Sequence, residues 1–480
     1  MDYSKYETVI GLEVHAQLLT ESKLFCSDSA AFGGAPNTHI SPITMAHPGT
    51  LPRMNKKAAE YAIKLGLACH CEIEKDNYFA RKNYFYPDLP KGYQVSQHTA
   101  PICNGGYVRI TTEAGTRDIK LNRIHLEEDA GKLLHDQDPA YSYVDLNRAG
   151  VPLVEIVSEP DMHSSEEAYQ YLTELRRLVR YLGVCDGNME EGSMRCDANI
   201  SIRLKGATTL GTKVEVKNMN SIRNVKRAID LEVKRQIELL ETGGTIVQET
   251  RSFDAATGTS FSMRSKEEAN DYRYFPEPDL APFHLSDDFI NAIRATLPAL
   301  PEELIQKYIT QYNLPEYDAR VICDDKSTAD YYEALIAATS QYKAAANWLL
   351  GPVKSYLNEN GTDIAAFPLQ PAALAKLIAL VDSGKVSFSI ASSRILPEMI
   401  SHPAEPLEIA TRLNLIQDTN ADNISPIIDE VLAKYPDKVA AYRGGKKGLL
   451  ALFVGEVMKA SKGKADPRLT NELLAEKLKG

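Results

Sequence analysis

Three short apolar segments of this chain each carry two charged or chelating side chains that are two residues apart. The pairs are Glu13 with His15 in VIGLEVHAQL, Asp197 with Asn199 in MRCDANISIR, and Glu215 with Lys217 in TKVEVKN. In a β-strand, residues i and i+2 face the same side, so each pair presents its two polar groups together. Burying unpaired carboxylates among Val, Ile and Leu is unfavourable, which means that these groups need a metal ion, a cation or a ligand.

Further acids lie in the same part of the chain. Glu155 is in VPLVEIVSEP, and Glu127, Glu128 and Asp129 follow one another in RIHLEEDAG. Each group has an ordinary alternative, such as a solvated strand face, a same-face ion pair, or the start of a turn or helix. A single shared site accounts for all of them more simply. Carboxylates in this arrangement suit a hard cation, most simply Mg²⁺ with a phosphate-bearing substrate.

Size and composition are those of a globular protein. A chain of 480 residues is long for one hydrophobic core and suggests about three domains. The formal net charge of −11 argues against a generally basic nucleic-acid coat but is compatible with a local basic surface. The sequence has no apolar run of about 18 residues and no recognisable leader, so we expect a cytoplasmic protein that does not span a membrane. Seven scattered cysteines without a CxxC pair predict reduced thiols.

Up to about Pro282 the pattern consists of short β-like runs separated by Gly, Pro and Asn. Two helical segments interrupt them, SSEEAYQYLTELRRLVRYLG, which opens with a serine cap, and SIRNVKRAIDLEVKRQIELLETGG. We therefore predict an α+β protein whose first domain, residues 1–290, is a mostly antiparallel sheet with helices packed on it. The proline-dense run from Arg273 to Phe283 is interpreted as a turn or linker that closes this domain.

The rest of the chain is predicted to be helical. Segments such as PEELIQKYITQYN, YKAAANWLLGPVKSYLNEN and PAALAKLIALVDSG have helical periodicity, and Trp348 is expected in their core. A proline-rich hinge at His402–Ala410 separates an all-α helical domain, residues 291–405, from a small α-helical tail, residues 406–480. From Thr411 onward the chain has 12 Lys and Arg against 9 Asp and Glu. This tail is therefore a candidate nucleic-acid contact.

Common catalytic signatures are absent from the sequence. It has no GxxxxGK[ST] phosphate loop, no GxGxxG between a strand and a helix, and no HEXXH, GXSXG or kinase-loop pattern. A nucleotide site would therefore be assembled from separate strands. Arg81 and Lys82 could bind an anion or lie in a solvated turn, and the nearby Tyr84 could stack on a base or pack in the core. His125 is interpreted as a partly buried, hydrogen-bonded histidine rather than a ligand.

Seven segments, taken in order, resemble the B subunits of the aspartyl/glutamyl-tRNA amidotransferases. They are ETVIGLEVHAQL, RKNYFYPDLPKGYQ, HLEEDAGK, VDLNRAGVPLVEIVSEPD, MEEGSMRCDANIS, KVEVKNMNS and DYRYFPEPDL. The later ANWLLG and the glycine- and lysine-bearing tail fit the same family. The resemblance covers essentially the whole chain, and so many long motifs in one order make it specific.

The resemblance implies a cradle-like catalytic domain followed by a helical domain and a small helical tail. It also implies a carbon–nitrogen ligase that acts on tRNA carrying the wrong amino acid, glutamate on tRNA(Gln) or aspartate on tRNA(Asn). In this family, ATP phosphorylates the side-chain carboxylate, and ammonia released from glutamine by the amidase (A) subunit displaces the phosphate. The small (C) subunit joins the other two chains into a heterotrimer. Whether one or both tRNAs are used stays open.

The resemblance further implies roles for individual residues. The implied metal ligands are His15, Glu128 and Glu155. The implied catalytic residues are Glu13, Glu127, Asp197, Asn199, Glu215, Lys217 and Lys82, and the implied ATP contacts are Asp197, Lys217 and Arg273. Glu127 and Glu128 can exchange roles, because the sequence does not say which of the two points inward. Lys82 is assigned to the ammonia route or to phosphate. The implied tRNA contacts of the tail are Lys446, Lys447, Lys459 and Lys462.

The chain departs from the family pattern in one loop. Many relatives carry two cysteine pairs after KLF, which resemble a zinc knuckle. Here Cys26 remains, whereas Asp28, Ser41 and Thr44 stand at the other positions. We therefore predict no structural zinc and expect packing alone to hold this loop.

Two other functions are compatible with the same motifs. A non-catalytic tRNA-binding scaffold would use the acids only as structural groups. A free-standing metal-dependent kinase would act without partner chains. Only an ATP-dependent amidotransferase component needs both the acids for catalysis and a separate amidase for ammonia.

Overall fold

A computed structural model describes residues 2–134, 140–265, 272–417, 420–461 and 463–479. It contains two compact units, Met1–Pro301 and Glu302–Gly480. The boundary between them lies close to the predicted limit of the first domain at residue 290. The further division of the helical half at 405/406 stays a prediction. Lys462, one of the implied tRNA contacts, lies outside the described residues.

The first unit is built on one large sheet and two small ribbons. The strands are β1 (Tyr6–Gln17), β2 (Glu72–Ile73), β3 (Asp76–Asn77), β4 (Ala80–Asn83), β5 (Tyr93–Ser96), β6 (Cys103–Asn104), β7 (Tyr107–Thr112), β8 (Gly115–Glu128), β9 (Lys132–Leu134), β10 (Tyr143–Asp145), β11 (Pro152–Ser158), β12 (Met194–Leu204), β13 (Val214–Met219), β14 (Glu249–Asp254), β15 (Thr259–Ser265), β16 (Phe275–Pro276) and β17 (Phe283–His284). The large sheet has 13 strands. Ten follow the order β15-β14-β13-β12-β1-β11-β8-β5-β4-β16, while β6 and β7 also pair with β8 and β2 pairs with β6. Its central pairs are antiparallel and β13–β14 is parallel. The predicted α+β class is confirmed.

The central strands have one apolar and one polar face. In β1, Leu12 and Val14 are buried and alternate with the less buried Glu13 and His15, and β12 repeats this period of two. The helices of this unit are α1 (Lys56–Ala68), α2 (Ser165–Tyr181), α3 (Ile222–Glu241) and α4 (Asp287–Arg294). Their apolar residues share one core with the buried strand residues. The charged side chains therefore project from the opposite side of the sheet, which we call the polar face.

The two helices predicted in the first domain are confirmed as α2 and α3. Each begins after a serine whose Oγ accepts a backbone N–H three residues later. Ser164 accepts from Glu167 at 3.1 Å, and Ser221 accepts from Asn224 at 3.1 Å. These caps satisfy N–H groups that have no partner within the helix.

The proline-dense run Arg273–Phe283 contains the predicted turn at residues 278–279, but it is not a free linker, because its residues Phe275 and Pro276 form the edge strand β16 of the large sheet. Phe275 in β16 pairs with Arg81 in β4. Glu277 is only 4% exposed and accepts hydrogen bonds from Arg81 Nε and Nη2, both at 2.7 Å. Pro276 is tolerated because β16 is the last strand of the sheet, where one row of backbone N–H groups is not needed for pairing. Arg81 is therefore engaged in a structural ion pair.

The loop that begins at Cys26 is held by hydrogen bonds as well as by packing. Thr44 Oγ1 donates to Asp28 Oδ2 at 2.5 Å, and Cys26 Sγ lies 3.3 Å from the same carboxylate oxygen. The buried Lys23 donates from Nζ to the backbone oxygen of His39 at 2.7 Å. The expectation that packing alone holds this loop is therefore wrong, because polar groups at three of the four positions form a connected set.

Thr44→Val is expected to lower the free energy of unfolding by about 1 kcal/mol, because valine keeps the volume but cannot donate to Asp28. Thr50→Val is the matched control, since Thr50 donates only to the backbone oxygen of His47 on the exposed surface. We expect the control to change the free energy of unfolding by less than about 0.5 kcal/mol. Chemical denaturation of the purified chain measures both, and equal losses would contradict the role of the Asp28 contact.

The second unit is helical, as predicted. Its helices are α5 (Pro301–Thr310), α6 (Glu316–Ile322), α7 (Lys326–Ala337), α8 (Tyr342–Trp348), α9 (Lys354–Asn360), α10 (Pro371–Asp382), α11 (Phe388–Ile390), α12 (Leu396–Ser401), α13 (Pro406–Arg412), α14 (Ala421–Lys434), α15 (Pro436–Arg443), α16 (Leu449–Ala460) and α17 (Pro467–Leu478). Trp348 is 1% exposed, which confirms its place in the core. Helices α14 to α17 share a core of their own that includes Ile428, Phe453 and Leu474.

The sequence analysis predicted reduced thiols and a chain that does not span a membrane. All seven cysteines are free thiols. Among the described residues, no helix has both the length and the apolar character that crossing a bilayer requires.

Candidate active site on the polar face

Five neighbouring strands, in the order β13, β12, β1, β11 and β8, carry all of the predicted site residues except Lys82 and Arg273. The pairing register sets Glu13 opposite Asp197 and His15 opposite Glu155. Directly opposed residues in antiparallel strands have Cβ atoms about 4.5–5.5 Å apart. Acids that are far apart in the sequence are therefore neighbours on the polar face.

His15, Glu127 and Glu155 form the first cluster. One ligand atom from each lies within 4.8 Å of the others. His15 Nε2 lies 3.6 Å from Glu155 Oε2. Two carboxylates and an imidazole are donors that suit a divalent cation. The residues present therefore fit the kind of ion that the sequence predicts.

Glu127 and Glu128 point to opposite sides because they are consecutive residues of β8. Glu128 pairs with Lys91 and accepts the backbone N–H of Val95 at 2.8 Å. Glu128 and Lys91 also line a cavity of about 300 Å³ together with Lys23. The structure thus brings Glu127, rather than Glu128, to the other two members of the first cluster. The sequence analysis left open which of these two glutamates points toward the cluster, and in the structure it is Glu127.

His125 lies against both acids of the first cluster. It is 2% exposed, and its Nε2 is 3.1 Å from Glu127 Oε1 and 3.2 Å from Glu155 Oε2. The sequence analysis interpreted His125 as a partly buried, hydrogen-bonded histidine rather than a ligand; the side chain is hydrogen-bonded but fully buried, and its two acid partners were not identified. The signal was present, because His125 precedes Glu127 by two residues of the same strand.

The pKa values of Glu127, Glu155 and the neighbouring His125 are all shifted from their usual values. Burial alone would raise the pKa of Glu127, but the hydrogen bond and charge of His125, followed by the charge of Lys82, hold that pKa well below its usual range. Burial also opposes the charged form of His125, yet its two carboxylate partners raise its pKa to about 9. Burial and the charge of Glu127 would raise the pKa of Glu155, but the hydrogen bond and charge of His125, together with the charge of His15, lower it. Ionised carboxylates thus face a protonated imidazole.

Glu13, Asp197 and Glu215 form the second cluster, also within 4.8 Å of one another. Lys217 Nζ pairs with Asp197 and lies 3.0 Å from Glu215 Oε1, while Asn199 Nδ2 donates to Glu13 Oε1 at 2.9 Å. Burial and the surrounding carboxylates raise the pKa of Glu13. Burial disfavours the charged form of Lys217, but its two carboxylate partners raise its pKa to about 12. This cluster therefore contains a cation of its own.

Lys82, on β4, lies close enough to the first cluster to be affected by its charge. Burial would lower the pKa of Lys82, but neighbouring groups, first of all Glu127, raise it above the usual lysine value. Its Nζ lies 5.1 Å from the ring centroid of Tyr272 and 6.0 Å from that of Tyr84. The ammonium group thus lies near two aromatic rings and within the electrostatic influence of Glu127.

Arg273 lies in the segment that follows Tyr272. Its side chain is exposed and belongs to neither carboxylate cluster, and its backbone has a φ of 43°. Asn83 Nδ2 donates to the backbone oxygen of Arg273 at 2.8 Å and to that of Tyr272 at 3.2 Å. A non-glycine residue in this left-handed conformation is strained and is held there by its surroundings.

Arg195 is a further cation of the polar face that the sequence reasoning missed. It stands opposite His15 and two residues before Asp197. Its Nη1 and Nη2 lie 2.9 and 3.1 Å from the carboxylate oxygens of Asp129, which also accepts from Gln17 Nε2 at 2.6 Å. The third acid of the EED run is therefore paired with arginine and is not a member of either cluster.

Sequence profiles of known families match most of the chain. The profile of the GatB/GatE catalytic domain matches residues 8–291, which include both carboxylate clusters. The chain belongs to the GatB/GatE family. A second profile, that of the GatB domain, matches residues 330–478 in the helical unit. The family resemblance seen in the sequence motifs is confirmed.

Close relatives extend over the full length of the chain. The Syntrophotalea carbinolica protein is 52% identical over 99% of both chains, and that of Thermoanaerobacter pseudethanolicus is 51% identical over 99% of both. The Geobacter sulfurreducens protein is 50% identical over 99% of this chain and all of its own. Each of the three is named as the B subunit of aspartyl/glutamyl-tRNA(Asn/Gln) amidotransferase.

Proposed function

We propose that this protein is the component of a glutamine-dependent amidotransferase that activates the side-chain carboxylate of misacylated tRNA with ATP and converts it to an amide. The products would be Gln-tRNA(Gln), Asn-tRNA(Asn) or both. The observation that carries the proposal is the convergence of the first cluster, His15 with Glu127 and Glu155, from three strands onto the polar face. The full-length relatives named as B subunits support it independently.

The chemistry explains why such a site needs charged groups rather than a nucleophilic side chain. A carboxylate is a poor electrophile because its leaving group would be oxide. Transfer of the γ-phosphoryl group of ATP to one carboxylate oxygen gives an acyl phosphate and ADP. Ammonia then attacks the acyl carbon, the bond to the phosphate oxygen breaks, and the amide and inorganic phosphate leave. Phosphoryl transfer depends mainly on alignment and charge neutralisation.

Mg²⁺ is the ion that the proposed reaction calls for, and the first cluster would hold it through His15 Nε2 and the carboxylates of Glu127 and Glu155. When bound, it would neutralise phosphate oxygens and orient them for transfer. Glu128 has no part in this assignment, because it pairs with Lys91. The ion is thus assigned to the side of β8 that carries Glu127.

The chain's own cations supply the remaining positive charge. Lys217 is held between Asp197 and Glu215, and Lys82 lies beside Glu127. We assign Lys217 with Asp197 to the nucleotide and Lys82 to the phosphoryl group or to the incoming ammonia. Asn199, which donates to Glu13, would keep that acid oriented on the polar face. Glu13, Asn199 and Glu215 complete the acyl end of the site, and the exposed Arg273 is assigned to ATP at its margin.

The proposal includes partner chains. Ammonia would come from the amidase (A) subunit, and the small (C) subunit would join the complex, as the resemblance to the family implies and as the B-subunit names of the relatives support. The exposed lysines of the tail, Lys446 and Lys447, would contact the tRNA through its phosphates. Such contacts should weaken steeply as salt is raised.

Reconstitution tests the proposal. The chain is mixed with its amidase and small partner chains, and amide formation is measured with Glu-tRNA(Gln) and Asp-tRNA(Asn) separately, with and without ATP. We expect ATP-dependent amide formation with at least one tRNA, and the ratio of the two rates identifies the substrate. Amide formation from glutamine by the chain alone would contradict the need for partners. Intact tRNA binding without ATP hydrolysis would favour a scaffold.

Lys82→Met is expected to lower tRNA-dependent ATP hydrolysis by the reconstituted complex about 100-fold, because a half-buried cation beside the reacting phosphate is lost. The KM for tRNA should change by less than about threefold, since Lys82 does not lie on the tRNA-binding tail. Lys75→Met is the control, because Lys75 forms an exposed pair with Asp287. Steady-state kinetics measures both variants. An unchanged turnover in Lys82→Met would contradict the assignment.

A further inference from the structure

His125 has contacts that a merely core-filling histidine would not need. It stands on β8 directly opposite Glu155 of β11, and Glu127 follows it two residues later on the same side of the strand. It is 2% exposed. Its position is therefore fixed by two strands, each of which contributes one acid of the first cluster.

The ring is directed at both acids through a single atom. His125 Nε2 lies 3.1 Å from Glu127 Oε1 and 3.2 Å from Glu155 Oε2. Carboxylate oxygens accept hydrogen bonds and do not donate them when ionised, so Nε2 carries the proton and shares it between two acceptors. Within the described residues, Nδ1 has no hydrogen-bond partner. The contact with the two acids is thus what orients the ring, and the ring in turn orients the acids.

The two acids depend on His125 to different degrees. Glu127 also accepts from Ser96 Oγ at 2.6 Å and from Gln94 Nε2 at 3.0 Å. For Glu155, in the part of the chain that the structure describes, the polar contacts are His125 Nε2 and the more distant His15 Nε2 at 3.6 Å. Loss of His125 would therefore leave Glu127 in place and release Glu155.

We propose that His125 is a positioning residue that holds Glu127 and Glu155 together as ligands for a divalent cation. Two ionised carboxylates at this separation repel each other, and the shared N–H keeps them from moving apart. Direct ligation by His125 is not part of the proposal, because the same Nε2 is already directed at the acid oxygens. Groups of this kind behind metal ligands commonly contribute about 10- to 100-fold in metal affinity.

This inference depends on the cation site of the proposed function but not on its tRNA or ammonia chemistry. The test therefore measures metal binding by the purified full-length chain. Mn²⁺ binding is followed by electron paramagnetic resonance of the free ion, and thermal unfolding is recorded for each variant. His125→Leu removes the donor at similar volume. His125→Gln restores an N–H close to the position of Nε2.

His98→Leu serves as the control for loss of a histidine near the site. His98 stacks on Tyr274 with ring centroids 3.9 Å apart, and in the described part of the chain it does not hydrogen-bond either acid. We expect the Kd for Mn²⁺ to rise at least about tenfold in His125→Leu, to return to within about threefold of wild type in His125→Gln, and to stay unchanged in His98→Leu.

Two results would overturn the inference. One is wild-type Mn²⁺ affinity in His125→Leu, whatever its thermal stability, since this would make His125 a core residue only. The other is equal weakening in His125→Leu and His125→Gln, because this would require the imidazole itself as a ligand. Failure of the proposed function gives a different pattern, in which the wild-type chain binds Mn²⁺ but the reconstituted complex forms no amide.

Discussion

Glu127→Gln is expected to lower tRNA-dependent amide formation by the reconstituted complex at least about 1,000-fold, which corresponds to about 4 kcal/mol of transition-state stabilisation. The amide has almost the same shape as the carboxylate and can still accept from Ser96 Oγ, which donates to Glu127 at 2.6 Å. What it lacks is the negative charge that holds a divalent cation. The loss should therefore appear in turnover and in the Mg²⁺ requirement, with tRNA binding intact.

Glu128→Gln is the matched control, one residue further along the same strand. Glu128 lies on the opposite side of β8 and pairs with Lys91. We expect its amide-forming rate to stay within about tenfold of wild type, which is a change of about 1.4 kcal/mol or less. The pair of variants decides the assignment that the sequence left open. A larger loss in Glu128→Gln than in Glu127→Gln would contradict the geometry described above.

Arg81→Leu is expected to destabilise the first unit by about 3–5 kcal/mol, the usual cost of leaving a buried charge without its partner. Glu277 is almost fully buried and receives two hydrogen bonds of 2.7 Å from this guanidinium. Arg81 also lies over the ring of Tyr93, 4.1 Å from its centroid. Without Arg81 the carboxylate must be protonated or exposed, and the pairing of β16 with β4 should weaken.

Arg109→Leu is the comparison for the Arg81 variant. Arg109 makes the same kind of two-point contact with Asp118, at 2.7 and 3.0 Å, but both side chains are well exposed. We expect a loss of less than about 1 kcal/mol there, because water replaces the ion pair. Chemical denaturation of the purified chains measures the difference. Equal losses in the free energy of unfolding for the two substitutions would mean that burial of Glu277 does not determine the size of the loss.

The sequence predicts much of the polar face because strand geometry is regular. Residues two positions apart in a strand face the same side of the sheet. This rule alone identified Glu13 with His15 and Asp197 with Asn199, and the pairing of β1 with β12 then places the two pairs side by side. The serine caps of α2 and α3 are equally local signals. In these cases the prediction needs only the residue and its near neighbours in the chain.

What could not be predicted depends on partners far away in the sequence. Glu127 and Glu128 are both charged, and only the pairing of Glu128 with Lys91 shows which of them faces away from the cluster. The run around Pro276 looks like a linker until Arg81, almost 200 residues earlier, supplies a partner for Glu277. The contact of His125 with Glu155 belongs to the same class, since it follows from the opposite strand β11, whereas its contact with Glu127 is two residues away in its own strand.

A crystal of the chain soaked in Mn²⁺, which accepts the same ligands as Mg²⁺, tests most directly whether these acids bind a divalent cation. An anomalous difference map locates the ion without assuming any activity. We predict a peak within about 2.5 Å of His15 Nε2 and of one oxygen each from Glu127 and Glu155. A peak at Glu128, or no peak among these three residues at a saturating concentration, would contradict the account.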